Sequence, residues 1–85
     1  MLELIKTEVV PNDRIQVEAK LDGRTVRFSV AQEVVEDVMR LLVEGDMAEC
    51  IDHIEKNWPR FASALEPVVR RHGDGVLITS DIFRP

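Results

Sequence analysis

The segment 14–30 constrains the fold most, because its two halves match each other about a turn. Asp22-Gly23 is a two-residue hairpin turn, since glycine adopts a positive φ at no steric cost. Pairing about this turn places apolar residues opposite one another on one face, and Glu18 opposite Arg27 on the other. A shift of one residue would turn the apolar set toward water, so the sequence predicts a half-buried antiparallel sheet in this register. The remaining predicted pairs are Ala19 with Val26, Val17 with Phe28, Ile15 with Val30, Lys20 with Thr25 and Gln16 with Ser29.

Size and charge limit the classes of protein to which the chain can belong. Its 85 residues suffice for one domain, 1–85, with one core. The formal net charge of −5 disfavours a general binder of nucleic acid or of anionic membranes, because phosphate contacts need basic residues. No apolar run is long enough to span a membrane, and the N-terminal residues lack the features of a signal peptide. A single cysteine, Cys50, excludes an intrachain disulfide and predicts a cytoplasmic protein.

The N-terminal segment 2–10 is rich in β-branched residues and predicts a strand that ends at the turn residues 11–13. Its alternation is imperfect, because Leu2 and Leu4 fall on one face while Ile5 and Val9 fall on the other. A strand that is apolar on both faces fits an edge or an interface.

Two helical regions follow the hairpin. In the first, 31–45, an apolar stripe indicates a helix that ends at Gly45, and Asp46 with Glu49 forms the next N-cap. In the second, 47–72, apolar residues recur at alternating steps of four and three, which predicts one buried helical stripe. Pro59 either kinks this helix or starts a new one, and Pro67 bends or restarts it again. The stripe comprises Met47, Ile51, Ile54, Trp58, Phe61, Leu65 and Val68.

The C-terminal part predicts a turn at 73–75 and a short apolar strand at 76–79. The order of elements is therefore strands, helices, strand. This order predicts an α+β fold with an antiparallel sheet built on the 14–30 hairpin plus N- and C-terminal strands. Two to three helices are expected to pack on one face of that sheet.

Three motifs in this order resemble a family of small bacterial proteins, domain-of-unknown-function family 1488. The first is the strand Val26, Phe28, Val30 that enters a helix at residues 32–37, and the second is the aromatic-bearing helix around Ile54-Glu55, Arg60 and Phe61. The third is the ending 75–83, which looks like the closing strand of the family. The chain departs from the family at Ala31, where a capping serine is expected, at Ile82, and at Pro59 and Pro67. The resemblance implies a small α+β fold and no assigned activity.

No constellation of residues predicts a catalytic, cofactor or metal site. Cys50 and His53 are helix neighbours near Glu49 and Asp52, but zinc needs three or four ligands and no second motif supplies them. The simpler interpretation places Cys50 beside the core and His53 in water. For the same reason a Cys–His nucleophilic pair is disfavoured, since nothing marks an oxyanion site.

Two further features have simple structural interpretations. The segment 73–75, Gly-Asp-Gly, follows a helix and precedes a strand, whereas phosphate loops run from a strand into a helix, so it is a turn. Trp58 lies on the apolar stripe, so we expect it in the core, although the break beside it leaves room for an exposed edge.

The leading functional hypothesis is a non-enzymatic interaction module that self-associates as a homodimer, through residues 2–10 or through apolar surface near Trp58. The interface is expected to bury at least about 1,000 Å² with an apolar centre. An unidentified protein is the alternative partner. The alternative is a regulatory or nucleic-acid-associated protein that uses Arg60, Arg70 and Arg71. An enzyme ranks third, because separated residues would have to converge in the fold.

Overall fold

The computed structural model describes residues 2–10, 14–40 and 47–83, with the backbone alone at Met47. These residues form an α+β fold with one mixed, mostly antiparallel sheet of strand order β1-β2-β3-β4. The strands are β1 Leu2–Val10, β2 Arg14–Leu21, β3 Arg24–Ala31 and β4 Leu77–Ile78, and the helices are α1 Gln32–Met39, α2 Met47–Lys56, α3 Trp58–His72 and α4 Ser80–Phe83.

The predicted hairpin is confirmed pair by pair. β2 and β3 pair antiparallel from Leu21 opposite Arg24 to Arg14 opposite Ala31. At the turn Asp22 has φ 54° and Gly23 has φ 83°, the two positive values that a type I′ turn requires. The predicted charge pair also forms, with 2.8 Å between Arg27 Nε and Glu18 Oε1.

The core lies between one face of the sheet and the helices. The inward residues of β2, namely Ile15, Val17 and Ala19, are fully buried, as the hairpin register predicts. From the helix side Ile54, Phe61 and Leu65 are buried completely, which confirms the second apolar stripe at its centre. The opposite face of the sheet is polar, and the side chains of Lys6, Glu8, Gln16, Glu18 and Arg27 surround a shallow depression on it.

The first helix ends earlier than the apolar stripe predicts. Arg40 adopts the left-handed conformation with φ 58°, and its N–H donates to the carbonyl of Glu36. This closes α1 at Met39, because a left-handed residue turns the chain away from the helix axis. The predicted caps at Gly45 and Asp46 lie outside the described residues.

The two prolines have different effects on the second helical region. α2 ends at Lys56 and α3 begins at Trp58, so Pro59 belongs to the first turn of a new helix, where proline is tolerated. Asn57 joins the two helices: its N–H and its side-chain Nδ2 both donate to the carbonyl of His53 at 3.0 Å. α3 continues through Pro67 without a restart. Pro67 has no N–H to donate to the backbone carbonyl of Ser63, four residues earlier. Both residues are exposed, so water can bond to that carbonyl instead.

The C-terminal strand is shorter than predicted and runs in the other direction. β4 comprises only Leu77–Ile78 and pairs parallel to β3, not antiparallel. The connection from β3 to β4 passes through α1, α2 and α3, and a helical crossover of this kind joins parallel neighbours, whereas a tight turn joins antiparallel ones. Ser80–Phe83, the end of the motif that resembles a closing strand, forms the short helix α4 instead.

Candidate functional site

The outer edge of β1 is the candidate functional site. β1 is nine residues long and lies at one end of the sheet, where it pairs with β2 alone. Beyond Leu2, no described residue donates or accepts a backbone hydrogen bond along its outer edge. A row of unpaired N–H and C=O groups of this length is a template for pairing with another strand.

A β-bulge explains the imperfect alternation of β1. Leu4 lies opposite Ala19 and Lys6 lies opposite Glu18, which leaves Ile5 as the extra residue. After the bulge Thr7 and Val9 are opposite Val17 and Ile15, on the face that carries the helices. The alternation alone suggests a strand that is apolar on both faces. The structure corrects this prediction, because the bulge shifts the alternation by one residue.

The apolar residues that remain exposed are concentrated on this strand. Within the described part of the chain, the large hydrophobic side chains that are exposed are Ile5 at 44% and Val9 at 51%. Leu2, at the start of the same strand, is buried at 1%. The exposed apolar surface therefore coincides with the unpaired backbone edge.

The helices hold β1 in place from one side. The Trp58 indole Nε1–H donates to the carbonyl of Leu2 at 3.0 Å, and Thr7 Oγ1 donates to Glu55 Oε2 at 3.1 Å. Trp58 is partly buried against the core, as its position on the apolar stripe predicts. Its hydrogen bond fixes the start of β1 and leaves the edge from Glu3 onward available.

The other edge of the hairpin is occupied. Asp74 Oδ1 accepts the backbone N–H of Arg27 at 2.6 Å, and the N–H of Gly75 donates to the carbonyl of Arg27. The N–H of Ser29 donates to the carbonyl of Val76 at 2.9 Å, after which β4 continues the pairing. The segment 73–75 is thus a turn, as predicted, with positive φ at Gly73 and Gly75. The sequence does not predict its contact with β3.

Within the described ranges, no group of three or more His, Cys, Asp and Glu residues is arranged to hold a metal ion. The thiol of Cys50 is fully buried in the core, in agreement with the simpler interpretation of this residue. Asp52 forms an ion pair with Lys56, with 3.1 Å between Oδ2 and Nζ, one turn further along α2. No described helix is long and apolar enough to cross a membrane.

The three arginines of the alternative hypothesis do not form one cluster. Arg60 lies in the first turns of α3 and Arg70 near its end, roughly 15 Å apart along a helix with a rise of 1.5 Å per residue. Arg70 also has partners, because it makes a bidentate pair with Asp22 and contacts Glu66 Oε2 at 3.3 Å. The hydrogen bond from Arg70 lowers the pKa of Asp22 and the same contact raises the pKa of Arg70. A nucleic-acid role for Arg60, Arg70 and Arg71 stays a prediction.

An open groove of about 490 Å³ lies between the hairpin tip and the end of α3. Its apolar lining comes from Leu21, Val26 and Val69, and its charged lining includes Asp22 and Arg70. The described lining contributes carboxylate and guanidinium groups but no imidazole or thiol. Arg70 already forms ion pairs with two carboxylates, so it is less available to a ligand in the groove. The groove is therefore a weaker candidate site than the edge of β1.

Comparison of the chain with family models, with curated proteins and with solved structures finds no match. The resemblance to domain-of-unknown-function family 1488 therefore stays a prediction, and the functional argument depends on the geometry of the chain itself.

Proposed function

We propose that this chain is a small interaction module, not an enzyme, that self-associates as a homodimer through the outer edge of β1. A two-fold axis is the symmetry of most homodimers, and an interface of this kind places the same surface of both copies in contact. We also propose a reducing, cytoplasmic location, because a sequence with a single cysteine, Cys50, does not use intrachain disulfides.

The coincidence of exposed apolar side chains with an unpaired strand edge carries this proposal. Ile5 and Val9 would each lose water contact when a second strand docks beside them. The unpaired backbone groups would gain hydrogen bonds at the same time. The other predicted surface, near Trp58, is less favourable, because the indole is partly buried and its N–H is already used by Leu2.

Sedimentation equilibrium at micromolar concentrations tests the proposal. The wild-type chain should show the dimer mass, about twice 9.7 kDa, and should shift toward monomer on dilution. Ile5→Asp should weaken the dimer, because it places two charges, one from each copy, against the docked strand. Thr25→Asp is the matched control, since this exposed residue near the hairpin tip lies on β3 and not on β1.

Circular dichroism should show that both variants keep the wild-type fold. A monomer mass that does not change as the concentration of the wild-type chain rises would overturn the proposal. Equal weakening by Ile5→Asp and Thr25→Asp would show that net charge, and not the edge of β1, controls association.

A further inference from the structure

We propose that two copies pair their β1 strands antiparallel about a two-fold axis at Thr7, so that one continuous eight-stranded sheet forms. This inference depends on the proposed function, since it names the register of the same interface. It follows from the order of charges on β1 after the bulge.

A two-fold axis perpendicular to the sheet keeps the helices of both copies on the same face. Residues that lie opposite each other across such an interface must point to the same face, whereas neighbours along a strand point to opposite faces. The axis must therefore pass midway between the two copies of one residue, and we name the axis by that residue. The regular part of β1 after the bulge is the range 6–10, and its charged residues are Lys6 and Glu8, so the axes that bring these charges near their copies pass through Lys6, Thr7 or Glu8.

Only one of these three registers brings opposite charges together. An axis at Lys6 places this residue opposite its own copy, and an axis at Glu8 does the same with two carboxylates. An axis at Thr7 places Lys6 of each copy opposite Glu8 of the other, which gives two Lys–Glu pairs. Opposite charges across strands stabilise a sheet and like charges destabilise it, so the Thr7 register is favoured.

The surroundings of these residues agree with this register. Lys6 and Glu8 lie on the polar face of the sheet, away from the helices, where long charged side chains can reach across to a neighbouring strand. Both are exposed, and Thr7 points to the helix side, where Glu55 accepts its hydroxyl hydrogen. In this register the bulge residue Ile5 and the residue Val9 lie at the two ends of the stretch of β1 that the partner strand covers, so both exposed apolar residues lie beside the partner strand.

Charge reversal at Glu8 and Lys6 tests the register. Glu8→Lys should weaken the dimer at least about tenfold, roughly 1.4 kcal/mol, because both pairs then oppose like charges. Residue 8 lies opposite the neutral Gln16 within its own sheet, so this change places no like charge directly opposite it inside the monomer. The double variant Lys6→Glu with Glu8→Lys restores opposite charges across the axis and should dimerise within about threefold of the wild type.

Mixing two single variants gives a sharper result. A chain with Lys6→Glu carries two acids at these positions and a chain with Glu8→Lys carries two bases, so the two should prefer each other to themselves. Because Lys6→Glu opposes Glu18 in its own sheet, its thermal stability is measured alongside. Native mass spectrometry of the mixture, with one chain isotope-labelled, should show more heterodimer than the statistical half.

Disulfide trapping locates the axis directly. Opposite Cα atoms in an antiparallel pair lie about 4.5–5.5 Å apart, within the range that a disulfide spans. Thr7→Cys should therefore cross-link under mild oxidation, whereas the buried thiol of Cys50 should leave the wild type uncross-linked. Glu3→Cys is the matched control on the same strand, because the Thr7 register separates its two copies by roughly 27 Å.

The outcomes separate this inference from the proposed function. A wild-type monomer overturns both. A wild-type dimer that Glu8→Lys does not weaken, or that cross-links through Glu3→Cys and not through Thr7→Cys, overturns the Thr7 register and leaves the interaction module in place.

Discussion

Substitution of Gly23 tests the hairpin with little interference from packing. Gly23 has φ 83° at the tip of the turn, and a Cβ atom built on it meets no other atom within 4 Å. A side chain at this position therefore causes no clash, and its cost comes from the backbone conformation alone. We expect the stability to fall in the order Gly, Asn, Ala, Val.

The magnitudes follow from the left-handed backbone. An L-residue such as alanine costs about 1–2 kcal/mol in this conformation, and it gains back about 0.4–1 kcal/mol because the unfolded chain is less flexible. Gly23→Ala should therefore lower the free energy of unfolding by roughly 1 kcal/mol. Gly23→Val should cost more, about 2 kcal/mol, because a β-branched residue is a true outlier at positive φ. Gly23→Asn should cost least, since asparagine tolerates this region.

Thermal and urea unfolding followed by circular dichroism, at one fixed protein concentration, measures this series. For a domain of this size 1 kcal/mol corresponds to about 4–8 °C in Tm. Thr25→Val is the control, because it adds a β-branched residue to an exposed strand position and should change stability by less than about 0.5 kcal/mol. A Gly23→Val variant that melts with the wild type, or a Gly23→Asn variant less stable than Gly23→Ala, would refute the reasoning.

Three other predictions concern the core and the contacts that join distant elements. Phe61→Ala should lower the free energy of unfolding by about 3–5 kcal/mol, because the ring is fully buried, and a loss below about 1 kcal/mol in urea titration would contradict its placement. Trp58→Phe should cost about 1 kcal/mol through the lost hydrogen bond to Leu2 and should speed hydrogen exchange at the start of β1, whereas unchanged exchange there would argue against the contact. Asp22→Asn keeps a residue that tolerates the turn but removes the ion pair with Arg70. Since that pair lowers the pKa of Asp22 in the folded state below its ordinary value of 3.8, its stabilisation is present above about pH 4 and is lost as the pH falls. The difference in Tm between wild type and Asp22→Asn should accordingly shrink below pH 4, and a difference that does not depend on pH would contradict the pair.

The hairpin could be predicted completely because its information is local. The turn residues fix the loop and the alternation fixes the faces, so each of the predicted pairs, including Glu18 with Arg27, occurs in the structure. The break near Pro59 could be predicted for the same reason, because proline lacks a backbone N–H and this disrupts a helix within one turn of it. The full burial of Phe61 likewise follows from helical periodicity alone.

The features that could not be predicted depend on residues far apart in the chain. The parallel direction of β4 depends on the path of three intervening helices. The bulge at Ile5 has no sequence signal beyond an irregular alternation, which two apolar faces would produce equally well. The contact of Asp74 with Arg27 joins positions 47 residues apart, and the pairing of Arg70 with Asp22 joins positions 48 apart. The interface at β1 stays a prediction from the sequence, and the structure adds which of its apolar residues are exposed, Ile5 and Val9.

The contact of Asp74 with the outer side of β3 also limits how large an assembly can become. A sheet that is open at both edges can add copies without end, because each new copy presents a fresh edge, and this is the route to filaments. In the described part of this chain, the segment 74–78 lies along β3 and leaves only a two-residue strand at that end. In the proposed assembly, a copy joined through β1 would therefore offer no comparable long edge to a third copy, and growth would stop at a closed pair.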